Sequence, residues 1–280
     1  MKSLSDSLLE TNYTAKARHG SDSMMNLTRR IKIFSKSPLS EVAKRKRSGT
    51  YQCCTQQNHN ASRSLDYREL IKKHTEVTTN HLTPELQLHL ITPTCPLWYT
   101  GIADCIFSDP YWAFYWPGGQ ALTRYLLDNG KEVADKVVAD IGSGCGASAI
   151  AAAMMGAKQV LANDIDPVAA LAIQMNAELN GVYPNIEIST ENLIGHSKHW
   201  DFLLLGDMFY DKDISDRVLE WMDMLAGQNT KIFVGDPCRI YMLDHPIRTK
   251  LRLIAEYDLT DECKEENYGL SSGFVWEFIP

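Results

Sequence analysis

From residue 137 onward the chain settles into short apolar runs separated by longer amphipathic stretches. Runs at 137–141, 159–162, 185–188, 202–205 and 231–234 predict strands, because each is too short for a buried helix. Stretches at 147–155, 167–180 and 213–225 predict helices between them. The second opens on Pro167 and is followed by Gly181, the expected helix punctuation. Strands alternating with helices require an α/β fold, a mostly parallel sheet doubly wound on both faces. Two further runs, 251–259 and 273–279, have no predicted helix between them and give an antiparallel hairpin at one edge. Before residue 136 the pattern is looser. A short helix is expected over 66–79, and an extended segment broken by three prolines over 82–99. A helix is expected over 120–128, after the aromatic cluster Tyr111 to Tyr115 and the turn Pro117-Gly118-Gly119. The chain thus divides into a disordered extension (1–23), a basic segment (24–63), an N-terminal helical and extended segment (64–135) and the α/β core (136–280).

Charge changes the picture at the front of the chain. The whole carries 28 Lys and Arg against 35 Asp and Glu, but Met24 to Arg63 holds nine bases and a single acid, Glu41. With the amphipathic start Met25, Leu27, Ile31, Ile33 and Phe34, this composition matches a mitochondrial transit segment and predicts a matrix location. A solvated basic tail, or a nuclear signal built on Lys44 to Arg47, is the alternative. From Ser64 onward 31 acids face 16 bases, which disfavours a nucleic-acid partner and suits a cationic one, such as a lysine side chain. No run of about 18 apolar residues occurs, so no membrane-spanning helix is expected. The seven cysteines show no C-x-x-C spacing, which argues against a zinc ribbon and for a reducing compartment. His196, His199 and His245 have no ligand spacing with Cys, so no metal is expected. Nothing demands more than a monomer.

The candidate chemistry begins with V-V-A-D-I-G-S-G-C-G-A-S, Val137 to Ser148. A strand feeding a glycine turn and then a helix lets backbone N–H groups approach a ligand closely, so Gly142, Gly144 and Gly146 are candidate cofactor contacts. Gly142, Gly144 and Ala147 also satisfy a dinucleotide fingerprint, so the spacing alone does not decide. Asp140 would face a pyrophosphate unfavourably. It suits a cationic ligand, such as the ammonium and sulfonium of S-adenosylmethionine. Asp164, at the end of the second predicted strand of the core, is placed to accept ribose hydroxyls. Asp166, before Pro167, reads as a helix start, and Cys145 as a small packing residue.

D-I-G-S-G-C-G followed by N-D-I-D-P resembles the class I, seven-strand methyltransferases that use S-adenosylmethionine. Longer stretches narrow the resemblance: Leu82 to Leu88, Asp109 to Asn129, L-G-D-M-F-Y-D from Leu205 to Asp211, and V-G-D-P-C-R from Val234 to Arg239. Together these are similar to the mitochondrial lysine methyltransferases of the electron-transfer flavoprotein β subunit, over about Leu82 to Pro280. The resemblance implies a seven-stranded sheet and S-adenosylmethionine as cofactor, with S-adenosylhomocysteine as product. It also implies that flavoprotein subunit as protein substrate, with a damping effect on electron transfer. Another protein substrate, such as a ribosomal protein, and a catalytically silent cofactor-binding protein are the competing readings. A nicotinamide oxidoreductase is disfavoured by Asp140 and by the lack of a Tyr-x-x-x-Lys relay.

Ligands of such sheets sit beyond the carboxyl ends of the strands. Asp207-Met208-Phe209-Tyr210, after the run 202–205, therefore falls at the methyl-transfer position. Lysine has a pKa near 10.4, so at pH 8 only about 0.4% is neutral and able to attack. Asp207 is the expected orienting carboxylate, with Phe209 and Tyr210 lining a lysine channel; Asp207 and Asp211 could instead cap the next helix. Met208-Phe209, in place of two prolines, argues against a nucleic-acid base as substrate. The resemblance implies that Trp116 closes over the cofactor near adenine, while Trp112 reads as site or core. Asn192, after the third predicted core strand, is a candidate for the adenine amino group. Asp236 either touches substrate or starts a turn before Pro237.

Overall fold

The computed structural model describes residues 67–100, 105–107, 110–267 and 269–280. The segments 1–23 and 24–63 lie outside the described residues. A helix at 67–74 (α1) leads into a two-stranded antiparallel sheet, β1 (Glu76–Thr78) with β2 (Leu88–Leu90). The helix stops short of the expected 79 because the run Val77, Thr78, Thr79 favours extended backbone. Most of 82–99 is irregular, ending in a 3-10 turn at Pro96–Tyr99.

The core follows as α2 (Pro117–Asp128), β3 (Val137–Ile141), α3 (Ala147–Met154), β4 (Gln159–Asn163) and α4 (Pro167–Leu179). Then come β5 (Ile186–Ser189), β6 (Phe202–Gly206), α5 (Lys212–Ala226), β7 (Lys231–Asp236) and the short α6 (Ile240–Leu243). The chain ends with β8 (Leu251–Asp258), α7 (Asp261–Glu266) and β9 (Ser272–Phe278). The large sheet has seven strands in the order β5-β4-β3-β6-β7-β9-β8. Its first five are parallel; β9 runs antiparallel between β7 and β8. The edge hairpin is present as expected, but α7 sits in its connection, capped where Thr260 accepts from the backbone N–H of Cys263.

Pleat alternation explains the two-faced core. On β3, Val138 packs with Leu122, Leu126 and Ile150 on one face, while Ala139 and Ile141 face Trp221 and Met222 on the other. On β6, Leu204 takes the first face and Leu203 and Leu205 the second. Burying each such leucine contributes about 1.5–3 kcal/mol. Helix α5 matches its side of the sheet by burying Ser215, Val218, Trp221, Met222 and Leu225, spaced three or four apart.

The chain runs outward from β3 to β5 and returns to lay β6 against β3, pairing Val138 with Phe202 and Ile141 with Leu205. Strand order reverses there, and the crevice beyond the carboxyl ends of β3 and β6 is where such sheets take ligands. Among the described residues no helix is long and apolar enough to cross a membrane.

Candidate active site

The glycine loop after β3 is built by conformation. Gly142, Gly144 and Gly146 all have positive φ, at 68, 55 and 84°, a region that side chains rarely adopt. Asp140 is 3% exposed and braces the loop from below: its Oδ2 accepts from Ser143 Oγ at 2.5 Å and from the Ala149 N–H at 3.1 Å. The expected outward-facing carboxylate is thus turned inward. Burial pushes its pKa up to about 6, against those two hydrogen bonds. Asp164 directly follows β4, with Oδ2 accepting from the Gly144 N–H at 3.1 Å and Oδ1 from the Asp166 N–H at 3.0 Å. Burial raises its pKa as well. Asp166 caps α4 by accepting from Val168 N–H, as its sequence position suggested.

Two asparagines that the sequence reading missed hold this loop. Asn163 donates through Nδ2 to the carbonyls of Ser189 and Glu191, both at 2.9 Å, fixing the turn that carries the exposed Asn192. Asn176 on α4 accepts from the His89 N–H at 2.8 Å and donates to the Cys145 carbonyl at 2.8 Å, tying β2 to the glycine loop. Cys145 itself is 4% exposed, and burial raises its thiol to about 12.

The segment after β6 lies directly on the glycine loop. Met208 Sδ lies where a Cβ on Gly142 would stand, so any side chain there would have to displace the methionine as well as adopt a positive φ. Asp207 stands at φ 56°, its N–H given to the Gly235 carbonyl at 2.8 Å. Its Oδ2 accepts from the Gly119 N–H at 2.7 Å and its Oδ1 from the Arg239 guanidinium. Phe209 departs from expectation: it is fully buried among Leu205, Val218 and Trp221, so it backs the site and does not line a channel. After the left-handed turn at Asp207, Met208 and Phe209 both point inward, and Tyr210 emerges, 54% exposed. Partial burial and the charges of Asp164 and Asp211 raise the Tyr210 hydroxyl pKa. Asp211 caps α5, accepting from the N–H groups of Asp213 and Ile214.

Asp236, at the end of β7, is completely buried. Its Oδ1 accepts from the Arg239 N–H at 2.6 Å. Burial pushes both Asp207 and Asp236 upward, Asp236 to about 7; Arg239 pulls both down, and the charge of Asp207 adds to the rise at Asp236. Arg239 appeared in the sequence reading only as the last letter of a motif. Its signal was an arginine three residues after an acid at a strand end. Trp116 donates through Nε1 to the Tyr111 carbonyl at 3.0 Å, and its ring lies 5.7 Å from the Arg239 guanidinium. Trp112 is a core residue, edge-on to Phe107 and packed with Ala169 and Ala172. No group of His, Cys, Asp or Glu among the described residues could hold a metal ion.

A family model described as ribosomal protein L11 methyltransferase (PrmA) matches residues 120–204. The electron transfer flavoprotein beta subunit lysine methyltransferase of Xenopus laevis is 48% identical over 215 residues, covering 76% of this chain and 87% of that protein. The human protein of the same name is 46% identical over 218 residues, covering 77% and 83%. The ribosomal protein L11 methyltransferase of a Psychrobacter species is 46% identical over only 85 residues, 30% of this chain and 27% of that protein.

Proposed function

The chain belongs to the electron transfer flavoprotein beta subunit lysine methyltransferase family, and from that membership we propose that it methylates lysine side chains of that flavoprotein subunit, using S-adenosylmethionine. The observation that supports the reading is the packing of the Asp207–Tyr210 segment on the glycine loop, which brings the Asp207 carboxylate close to that loop.

The residues present fit that cofactor. Residues 137–157 contain no Lys or Arg, so the cradle offers nothing to neutralise a phosphate. Each oxygen of Asp164 uses one lone pair on a backbone N–H and keeps another for a ribose hydroxyl. Gly142, Gly144 and Gly146 leave the backbone open to a ligand; Asp140 holds their geometry from behind, and Asn192 and Trp116 are the rim candidates for the adenine. When bound, the cofactor supplies an electrophilic methyl on a sulfonium. Asp207 orients the incoming amine, and Tyr210 flanks its approach from the solvent side. Alignment of this kind is worth far more than any single contact, since attack by nitrogen needs correct placement above all.

Similarity to the flavoprotein enzymes extends over about three-quarters of the chain, whereas similarity to the L11 enzymes spans 30% of it. That difference favours the flavoprotein subunit over a ribosomal protein as substrate. The acidic balance after Ser64 suits a lysine-bearing partner over a nucleic acid, and the acid-poor segment 24–63 supports action in the mitochondrial matrix, where methylation would damp electron transfer.

The test is transfer of radiolabelled methyl into purified electron transfer flavoprotein, comparing the native enzyme with Asp207→Asn. The substitution keeps an acceptor for the Gly119 N–H. Label on the beta subunit, at least tenfold weaker with the variant, is the expected result. Absence of label from an enzyme that still binds S-adenosylhomocysteine would overturn the substrate.

A further inference from the structure

Two buried carboxylates share one guanidinium at the carboxyl ends of β6 and β7. Arg239 is paired with Asp207 through Nη2, and its backbone N–H is given to Asp236. The pairing is incomplete. Arg239 Nε and Asp236 Oδ2 stand 3.9 Å apart, both buried and neither with a hydrogen-bond partner. Two acids share one base in a low-dielectric setting, and Asp236 Oδ2 is left as an acceptor that has no donor. The Trp116 ring, 5.7 Å from the guanidinium, adds a face that attracts cations. Of the three charged side chains only Arg239 reaches solvent, at 23% exposure against 6% for Asp207 and 0% for Asp236. It sits on the turn after β7, next to Cys238 with its φ of 67°.

We propose that Asp207, Asp236 and the face of Trp116 form the seat for the substrate lysine's amino group, and that Arg239 is a resident place-holder which the lysine displaces. This rests on the lysine methyltransferase reading given above. A guanidinium is charged at every working pH, so it keeps the seat neutralised between substrates. A lysine ammonium brings the same charge in a compact head with three donors. It can take over the bond to Asp207 and still supply the donor that Asp236 Oδ2 lacks. The arrangement makes Arg239 a specificity element: a neutral side chain gains nothing by displacing it, because the two acids would then be left without a cation.

The test uses the full chain and Arg239→Ala, with n-butylammonium chloride as probe for the lysine head and methylguanidinium chloride as probe for the displaced group. Calorimetry is expected to show n-butylammonium binding at least tenfold tighter to the variant than to the native enzyme. Methylguanidinium should compete with it, and adding Asp236→Asn should weaken it. In methyl transfer the KM for the flavoprotein should fall roughly tenfold, since no occupant has to be expelled. A folded variant with no gain in affinity would overturn the proposal, as would restoration of lost transfer by methylguanidinium, which would make Arg239 a brace. Should Arg239→Ala not fold, Arg239→Gln is measured in the same way; failure of both to fold would make Arg239 a structural ion pair and end the place-holder role. Tight n-butylammonium binding by a variant whose native parent does not label the flavoprotein would support the seat while removing the named substrate.

Discussion

Gly118 and Gly235 meet backbone to backbone, so that a Cβ on either would overlap the other's carbonyl oxygen. The contact presses the first turn of α2 onto β7, and it is what brings the Gly119 N–H within reach of Asp207. Gly235→Ala should therefore destabilise the protein by about 1–3 kcal/mol through overpacking. Urea unfolding measures the loss, and an unchanged midpoint would show that α2 can back away from the strand.

Asp211 caps α5 through the N–H groups of Asp213 and Ile214. Asp211→Ala should cost about 1 kcal/mol, the usual value for a lost N-cap, while methyl transfer per folded molecule stays within twofold. A large fall in kcat with native stability would instead put the carboxylate in the reaction.

Asp140 should leave a mark on the pH dependence of stability. Its folded pKa, about 6, lies above the model-peptide value of 3.8, so the folded state holds the proton more tightly than the unfolded one. The associated stability is fully present below about pH 4 and is lost as the pH rises through 6. Asn at this position can accept the same two hydrogen bonds without a charge. The stability of the native protein relative to Asp140→Asn should thus fall by about 2–4 kcal/mol between pH 4 and pH 7. A difference independent of pH would mean that the carboxylate is not held inside.

Asn176 joins β2 to the glycine loop through both ends of its amide. Asn176→Ala strands the His89 N–H and the Cys145 carbonyl and should cost about 1–3 kcal/mol. Because the loop loses its anchor, affinity for S-adenosylhomocysteine should weaken about tenfold in calorimetry. Full affinity in a destabilised variant would confine the asparagine to folding.

The core strands were legible because their physics is local. The run 137–141 ends in glycines that need positive φ, and its observed bounds coincide with the expected ones. Helix α2 was not read correctly, since Pro117-Gly118-Gly119 has turn chemistry, whereas the structure makes it the first helical turn. The reason lies in Gly235, over a hundred residues away, against which nothing larger than glycine fits. Phe209 was misjudged for a similar reason. Its neighbours Met208 and Tyr210 gave no sign that the left-handed turn at Asp207 would send it inward to Trp221. The acids at the strand ends could be named from the sequence. That Asp207 and Asp236 share Arg239 depends on β6 and β7 lying side by side, which only the sheet order reveals.

The state of Cys145 has a consequence for chemical endurance. It stands in the middle of the glycine loop, where a thiolate would be an easy target for peroxide or alkylating agents. Its attack on such agents requires the deprotonated form, which burial keeps out of reach until about pH 12. Cys238, beside the acidic pair, is held protonated to about the same pH, again chiefly by burial and with Asp236 adding to the rise. Both thiols beside the site are thereby held in the unreactive protonated form, so alkylating agents that need a thiolate should find neither of them in the folded protein.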